Sequence, residues 1–327
     1  MIFDKTGFET LINTLNLDEK QVGCCTTRLE NFNLYVLIKT IFNRKFSYKS
    51  YLKQYIKLTN PKIVLTFIDN NLFFYLLKKD FPNIKFISIQ NGYRFLNDEM
   101  LSTFYKNKKN YYSSDFYFVF NKQLKKIMEK FIDTNCIVAG SLKNNKLLIK
   151  KLNSNFTDNI GFISRFTPAI LKSVNEKNEK NPDYIVHKFS SKLLLNTAEY
   201  CKKNNKKLKI LTTKPHLLKE EMNYYKNILR DYQYEYFIKD NTYDSYYNLF
   251  KVDVLISPSS TLGSEGLGRG LKVLYFSEDK ILGSNFGWPF IKELQGPFFS
   301  NNFEYSNLER MINFITNLSV EDWKKLL

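Results

Sequence analysis

Histidine is almost missing from this 327-residue chain, which has only His187 and His216. Cysteine is nearly as scarce: Cys24, Cys25, Cys136 and Cys201, with no Cys-x-x-Cys pair. Adjacent Cys24 and Cys25 are poorly placed to bond each other, and no signal peptide is read at the start. Reduced thiols and a cytoplasmic location are therefore expected. No apolar run approaches the roughly 20 residues that cross a bilayer, so membrane association is expected only as peripheral contact on the inner face of the cytoplasmic membrane. RNA-recognition, KH, zinc-finger and helix-turn-helix signatures are absent, and nucleic acid is not an expected partner.

The composition that is present is globular. Apolar residues make up 43% and aromatics 16%, enough for two domains with separate cores. Lys and Arg number 49 against 32 Asp and Glu, a net charge of +17. Two readings stand side by side. The charge fits an anionic partner such as a nucleotide, an acidic saccharide or a membrane face. It also fits a solvated surface written in Lys, as at Lys202, Lys203, Lys206, Lys207 and Lys209 among Asn residues.

Short apolar runs alternate with helical stretches in both halves. In the first half, Ile2–Phe3 leads to a turn at Asp4–Gly7. Strands are read at Lys62–Ile68, Lys85–Ile89, Phe116–Phe120 and Cys136–Ala139, with helices at Asn71–Lys79 and up to Lys130. The Asn- and Lys-rich stretch Leu142–Asn159 reads as a connection. Beyond it, strands are expected at Ile160–Ser164, Lys209–Thr212, Glu235–Ile238, Val252–Ile256 and Lys272–Phe276. Helices are expected at His187–Lys203, Leu217–Asp231, Tyr243–Phe250 and Leu262–Arg269, with Asn175–Asp183 exposed. Near-continuous apolar strands alternating with helices predict parallel sheets and βαβ crossovers. The expected fold class is α/β, with two Rossmann-like domains facing a cleft: an acceptor domain over 1–150 and a donor domain over 151–305. Helices over 306–327 are expected to pack back on the first domain.

Ligands of open α/β sheets sit beyond the carboxyl ends of strands, so the polar residues there are the candidates. Foremost is the run Ser257, Pro258, Ser259, Ser260, Thr261, Leu262, Gly263, Ser264, Glu265, between a strand and a helix. Hydroxyls, backbone N–H groups and the helix dipole there suit a phosphate, with Glu265 accepting from a sugar hydroxyl. Ser with a following Glu also fits a plain capping box. Lys214–Pro215–His216 follows another strand, where His216 suits a phosphate contact or proton transfer. Ser164 and Arg165 end the first strand of the second half, and Arg165 suits a donor phosphate. In the first half, Gln90, Asn91, Gly92 and Arg94 suit sugar hydroxyls and an anionic group, or form a simple Asn-Gly turn. Asp69 is read as a nucleophile, a general base or a helix cap. Asp4, Lys5 and Glu30 are weaker acceptor contacts. The pieces Gly287–Trp288–Pro289 and Gly296–Phe299 read as an aromatic loop, favouring packing over sugar stacking.

Together the stretches SSTLGSEGLGRGLKVLYF, QNGYR, FGWP and GPFF resemble bacterial surface-carbohydrate biosynthesis proteins related to the transferases of Kdo and other CMP-activated acidic sugars. The pairing of Lys214–Pro215–His216 with Ser259–Ser260–Thr261 is also similar to the two elements that bind the CMP donor in GT-B sialyltransferases. Here the order is Pro–His where those enzymes have His–Pro. The resemblance implies GT-B architecture and a glycosyltransferase moving an acidic sugar from a CMP-sugar to a surface polysaccharide or glycolipid acceptor. It implies that Ser259, Ser260 and Thr261 hold the phosphate, that His216 assists the leaving group, and that Asp69 is nucleophile or base. GT-B enzymes generally work without a bound metal, in keeping with the lack of an Asp-x-Asp or His-rich cluster, so neither metal nor cofactor is expected. The alternatives are a UDP-sugar transferase or 2-epimerase-like enzyme, a CDP-polyol phosphotransferase, and a non-catalytic nucleotide-sugar or polysaccharide-binding protein.

Overall fold

A computed structural model describes residues 1–26, 32–42, 47–92, 111–147, 158–241, 243–277 and 296–327. These form two compact units, one over described residues up to 147 and one from 158 onward. Each is an α/β unit built on a six-stranded sheet whose recorded pairings are all parallel.

The first sheet has the order β2-β1-β3-β4-β5-β6. Its strands are β1 (Ile2–Phe3), β2 (Cys24–Cys25), β3 (Ile63–Thr66), β4 (Lys85–Ile89), β5 (Tyr112–Val119) and β6 (Ile132–Val138). The helices of this unit are α1 (Phe8–Leu15), α2 (Leu34–Phe42), α3 (Tyr48–Thr59), α4 (Leu72–Leu77), α5 (Lys122–Phe131) and the single turn α6 (Leu142–Asn145). Phe3, Val64, Phe74, Phe86 and Tyr117 are fully buried, as strands and helices packed in layers require. β5 begins four residues before the expected Phe116. Asp115 interrupts its apolar pattern, yet that carboxylate accepts from the Phe86 N–H (2.7 Å) and pairs with Lys78 (2.8 Å), so the strand runs through.

The second sheet has the order β12-β11-β10-β7-β8-β9. It contains β7 (Asn159–Ile163), β8 (Lys207–Leu211), β9 (Glu235–Phe237), β10 (Val254–Pro258), β11 (Val273–Phe276) and β12 (Phe299–Ser300). Its helices are α7 (Pro168–Glu176), α8 (Pro182–Lys203), α9 (Leu218–Leu229), α10 (Asp244–Leu249), α11 (Thr261–Gly268), α12 (Tyr305–Asn317) and α13 (Val320–Leu326). α8 starts earlier than expected, because Asn181 caps it by accepting from the Asp183 N–H (2.8 Å) and Pro182 fits its first turn. Its buried Val186, Ser190, Leu193, Leu194, Thr197 and Cys201 follow the helical period. The four cysteines are free. Burial pushes the Cys25, Cys136 and Cys201 thiols up to about 12, which leaves them unreactive.

The expected tail helices pack on the second unit, to which residues 305–327 belong. α12 turns Leu308, Met311, Ile312 and Ile315 inward, and Tyr200 of α8 donates to Asn313 Oδ1 (2.8 Å). Lys272 Nζ donates to the carbonyls of Thr316 (3.2 Å) and Leu318 (2.7 Å), capping the helix end. Trp323 is 1% exposed, donates from Nε1 to Gly270 O (2.9 Å) and meets Phe298 edge-on at 5.4 Å. The apolar stripe of the tail is thus spent on its own unit. Trp323→Ala is expected to cost about 3–5 kcal/mol. Chemical denaturation followed by circular dichroism checks this, and a loss under about 1 kcal/mol would contradict the packing described.

Candidate functional site

From β7 the chain winds outward through β8 and β9, then returns to add β10, β11 and β12 on the other side. The winding therefore reverses between neighbours β7 and β10, and the crevice beyond their carboxyl ends is the favoured ligand position of such a sheet. Ser164 and Arg165 follow β7; Ser259 and Ser260 follow β10 and lead into α11. Arg165 reaches across, donating from Nη1 to Ser259 O (3.2 Å). Ser259 holds a left-handed conformation (φ 47°), fixed by its N–H and Oγ, which both donate to Phe276 O (2.8 and 3.2 Å). Ser260 caps α11, its Oγ accepting from the Leu262 N–H (3.3 Å).

Gly263 is required by contact. A Cβ there would lie 2.0 Å from Ser257 Oγ and 2.5 Å from Ser257 Cβ, so the first turn of α11 rests directly on the end of β10. The hydroxyls of Ser257 and Ser264 are buried here without a hydrogen-bond partner among the described residues. Glu265 departs from the capping-box expectation. It lies in the second turn of α11 and accepts from the Tyr246 hydroxyl of α10 (3.1 Å), while the capping-box position is Gly263.

A polar layer missed in the sequence supports the crevice. The Tyr225 hydroxyl donates to Ser164 Oγ (2.8 Å) and accepts from the Arg165 N–H (3.1 Å). The fully buried Glu221 carboxylate accepts from the Thr213 N–H (3.1 and 3.2 Å) and hydroxyl (3.0 Å). Burial pushes the Glu221 pKa above the usual carboxylate range, against hydrogen bonds from Ser164 and Thr213. Both residues sit inside α9, away from any strand end. The signal that would have found Glu221 is its place on the buried stripe with Tyr224, Tyr225 and Leu229.

Lys214 and His216 stand one strand further out, beyond β8, where both are exposed and Pro215–Leu217 forms a 3-10 turn before α9. Lys239, after β9, is a further cation overlooked in the sequence. Its N–H donates to Thr212 Oγ1 (3.1 Å), and burial holds its ammonium pKa down, with Lys214 adding to the effect and Asp244 opposing it.

In the first unit the winding reverses between β1 and β3. Asp4, at φ 85°, is 2% exposed and accepts from the Thr6 N–H (2.8 Å); Lys5 is exposed. A Cβ on Gly7 would lie 2.5 Å from Phe67 Cβ, so this turn needs glycine to approach β3. Asp69, the expected nucleophile or base, is buried. Its side chain has no exposed surface; Oδ1 accepts from the Asn91 N–H (3.2 Å) and Oδ2 from the Tyr117 hydroxyl (2.6 Å). In this arrangement the carboxylate holds the turn at Asn91. Gln90, 1% exposed, does the same: it accepts from the Phe120 N–H (2.9 Å) and donates to Gly92 O (2.8 Å). The structure thus joins Asp69, Gln90, Asn91 and Gly92, leaving Asn91 and Gly92 partly exposed. Glu30, Arg94 and Gly287–Trp288–Pro289 lie outside the described residues.

A separate cavity of about 550 Å³ opens on one face of the first sheet. Its lining is mostly hydrocarbon, from Ile2, Leu65, Ile87, Ile89 and Phe118, with Met1, Gly140 and Asn145 also present. Among the described residues, no group of three or more His, Cys, Asp or Glu is arranged to hold a metal.

Two parallel six-stranded units, each with polar residues at its winding reversal, define an α/β protein of the Rossmann-like, GT-B kind. Solved structures with this fold include the UDP-GlcNAc 2-epimerase of Methanocaldococcus jannaschii, in complex with UDP-GlcNAc and UDP. Its TM-score is 0.55 at 12% identity, over 98% of this chain and 92% of that one. A Listeria monocytogenes structure described as a UDP-N-acetylglucosamine 2-epimerase gives 0.54 at 12% identity, over 96% and 79%. Such low identity establishes the fold alone. No curated protein matches the chain. Residues 87–327 match the family described as "putative O-antigen biosynthesis protein", and the chain belongs to that family.

Two measurements follow. Gly263→Ala must push α11 off β10, at about 1–3 kcal/mol of stability, and is expected to abolish binding of any ligand seated on the α11 N-terminus; unaltered binding would disprove that seat. For Glu221, the raised native pKa means the folded state holds its proton more tightly than the unfolded chain. Stability therefore falls as pH rises from about 4.3 through the native pKa. Glu221→Gln lacks this titration, so its melting temperature relative to wild type is expected to climb between about pH 4 and pH 7. A flat difference would contradict the raised pKa.

Proposed function

We propose that the chain is a glycosyltransferase of surface-polysaccharide assembly that binds a nucleotide-activated sugar through its second unit. The carrying observation is Arg165 laid across the winding reversal onto the Ser259 carbonyl, beside the N-terminus of α11. A guanidinium and the positive end of a helix dipole converge there, and together they favour a phosphate. Ser259, Ser260 and Thr261 line this position, supported by Ser257 and Gly263. Membership in an O-antigen biosynthesis family supports the polysaccharide product.

The finer reading is a CMP-activated acidic sugar of the Kdo or nonulosonate type. Its support is the likeness of Lys214–His216 and Ser259–Thr261 to the donor-binding elements of sialyltransferases. In this reading Lys214 and Lys239 face the sugar's carboxylate, and His216 assists departure of the phosphate. Asn91 and Gly92 are the first-unit contacts to the acceptor. Asp69 positions their turn and takes no part in bond making. Cleavage of the donor's glycosidic bond leaves negative charge on the nucleotide phosphate, and Arg165 with α11 stabilises it as it develops.

Thermal-shift measurements with CMP, CDP, UDP and GDP test the proposal. CMP is expected to raise the melting temperature, and Arg165→Ala is expected to weaken that binding by about 10–100-fold, the worth of a charge-assisted contact of about 1.5–3 kcal/mol. A shift with UDP but none with CMP would replace the donor and favour the UDP-sugar reading. A shift confined to CDP would favour polyol-phosphate transfer. Absence of any shift would remove the nucleotide.

A further inference from the structure

α2 is fixed to the first unit by one side only. Val36 and Thr40, one turn apart, face inward at 3% and 5% exposure. The Thr40 hydroxyl donates to its own helix at Val36 O (2.7 Å), so no polar atom faces the core unsatisfied. The helix start is anchored twice: Asn33 N–H donates to the Tyr51 hydroxyl of α3 (2.9 Å), and Asn33 Oδ1 accepts from the Val36 N–H (3.1 Å). The opposite side presents Leu34, Tyr35, Ile38, Ile41 and Phe42 to solvent, with Leu34 69% and Phe42 80% exposed. Single exposed apolar side chains need no explanation, but five on one short, anchored helix do.

Charge says what covers them. Between Glu30 and Asp69 the sequence has seven Lys or Arg residues and no Asp or Glu. Lys39 lies on α2 itself, with its ammonium 5.6 Å from the Tyr35 ring centroid, and Lys49, Lys53 and Lys57 follow on α3. Lys53 is paired with Asp80 (2.6 Å), whereas Lys57 is exposed. An apolar helix face that carries Lys39 and lies in a stretch of sequence with cations and no acidic residue suits a lipid interface with negative headgroups, where the apolar side chains sink to the acyl boundary and the ammonium groups stay among the phosphates. A second copy of the chain is a poor fit, because a two-fold interface sets the same patch against itself and would bring these cations together.

We propose that α2 is a membrane-docking helix that lies in the headgroup layer of an anionic bilayer, with Leu34, Tyr35, Ile38, Ile41 and Phe42 inserted. This deepens the proposed function by giving the membrane of a glycolipid acceptor a defined docking surface on the first unit. Among the described residues no helix is long and apolar enough to cross a bilayer, so the contact is peripheral.

Co-sedimentation of the full chain with vesicles tests it without requiring nucleotide or turnover, so its failure is distinguishable from failure of the donor reading. Binding is expected to vesicles of equal parts phosphatidylglycerol and phosphatidylcholine, to be much weaker with phosphatidylcholine alone, and to decline as salt screens the headgroups. The double variant Ile38→Glu with Phe42→Glu is expected to lose about tenfold or more of the affinity. Its melting temperature should stay within a degree or two of wild type, since both side chains are exposed. Phe42→Trp should show a blue-shifted emission increment on adding anionic vesicles. Equal vesicle binding by the double variant, or no binding by wild type, would overturn the proposal. So would light scattering that finds a wild-type dimer and a monomeric double variant without vesicles, because a second copy would then be the occupant.

Discussion

Parallel pairing brings the carboxyl ends of all the strands in a sheet to one edge, where backbone groups leave the ladder and need new partners. Each unit meets this requirement with a buried polar layer, but the layers differ in sign. In the first unit the Asp69 carboxylate takes up the donors of Asn91 and Tyr117, while Gln90 ties the same turn to Phe120. Its negative charge is internal and committed. In the second, Tyr225 and Ser164 secure the β7 tip, and the charge placed toward β10 is the Arg165 guanidinium beside a helix N-terminus. One edge is organised around a buried anion and the other around a partly exposed cation. The second unit buries a carboxylate too, Glu221, so the contrast lies in what each edge turns toward its winding reversal, and the proposed phosphate seat rests on Arg165 there.

Much of this architecture was legible because strands buried on both faces write themselves as continuous apolar runs. KIVLTFI, KFISI and VDVLI were each found within a few residues of their observed bounds. The failures have physical causes. β2 is two residues long and gives no periodicity, and the nine-residue α7 (Pro168–Glu176) buries only Ile170 and Ser173, too few to write a clear stripe. β6 is an edge strand with four exposed residues, so only its Cys136 end looked like a strand. The tail's stripe of Leu308, Met311, Ile312 and Ile315 announced a partner without naming it. Sequence periodicity says that a face is buried, and only the fold says against what.

The candidate site shows the same division. Position after a strand pointed to the Ser257–Gly263 run and Ser164–Arg165, and the fold sets the two side by side at the winding reversal, where Arg165 donates to Ser259 O. The rule could not distinguish a reactive carboxylate from a structural one. Asp69 qualified by position, yet packing buries it among donors. Glu221, a carboxylate with a perturbed pKa beside the crevice, lay unnoticed in the first turn of α9. Strand-end reasoning finds groups that the backbone presents, and it misses those that a helix lowers onto the sheet from above.

The net charge of +17 becomes interpretable only once it is divided by place. Some cations serve the fold: Lys272 caps the end of α12, and Lys78 holds Asp115. Others lie on the solvated end of α8, where Lys203 is 3.3 Å from Glu199 and gains little from the pairing. Arg165 has a third use, at a crevice where a phosphate would find it already oriented. The run between Glu30 and Asp69 differs from all of these, because it lacks acidic residues and contains α2, whose apolar face is exposed among the described residues. Self-repulsion among such cations opposes the compact state, and the exposed apolar side chains are a further cost in water. An anionic lipid surface relieves both at once, which a saccharide, having no hydrocarbon depth, does not.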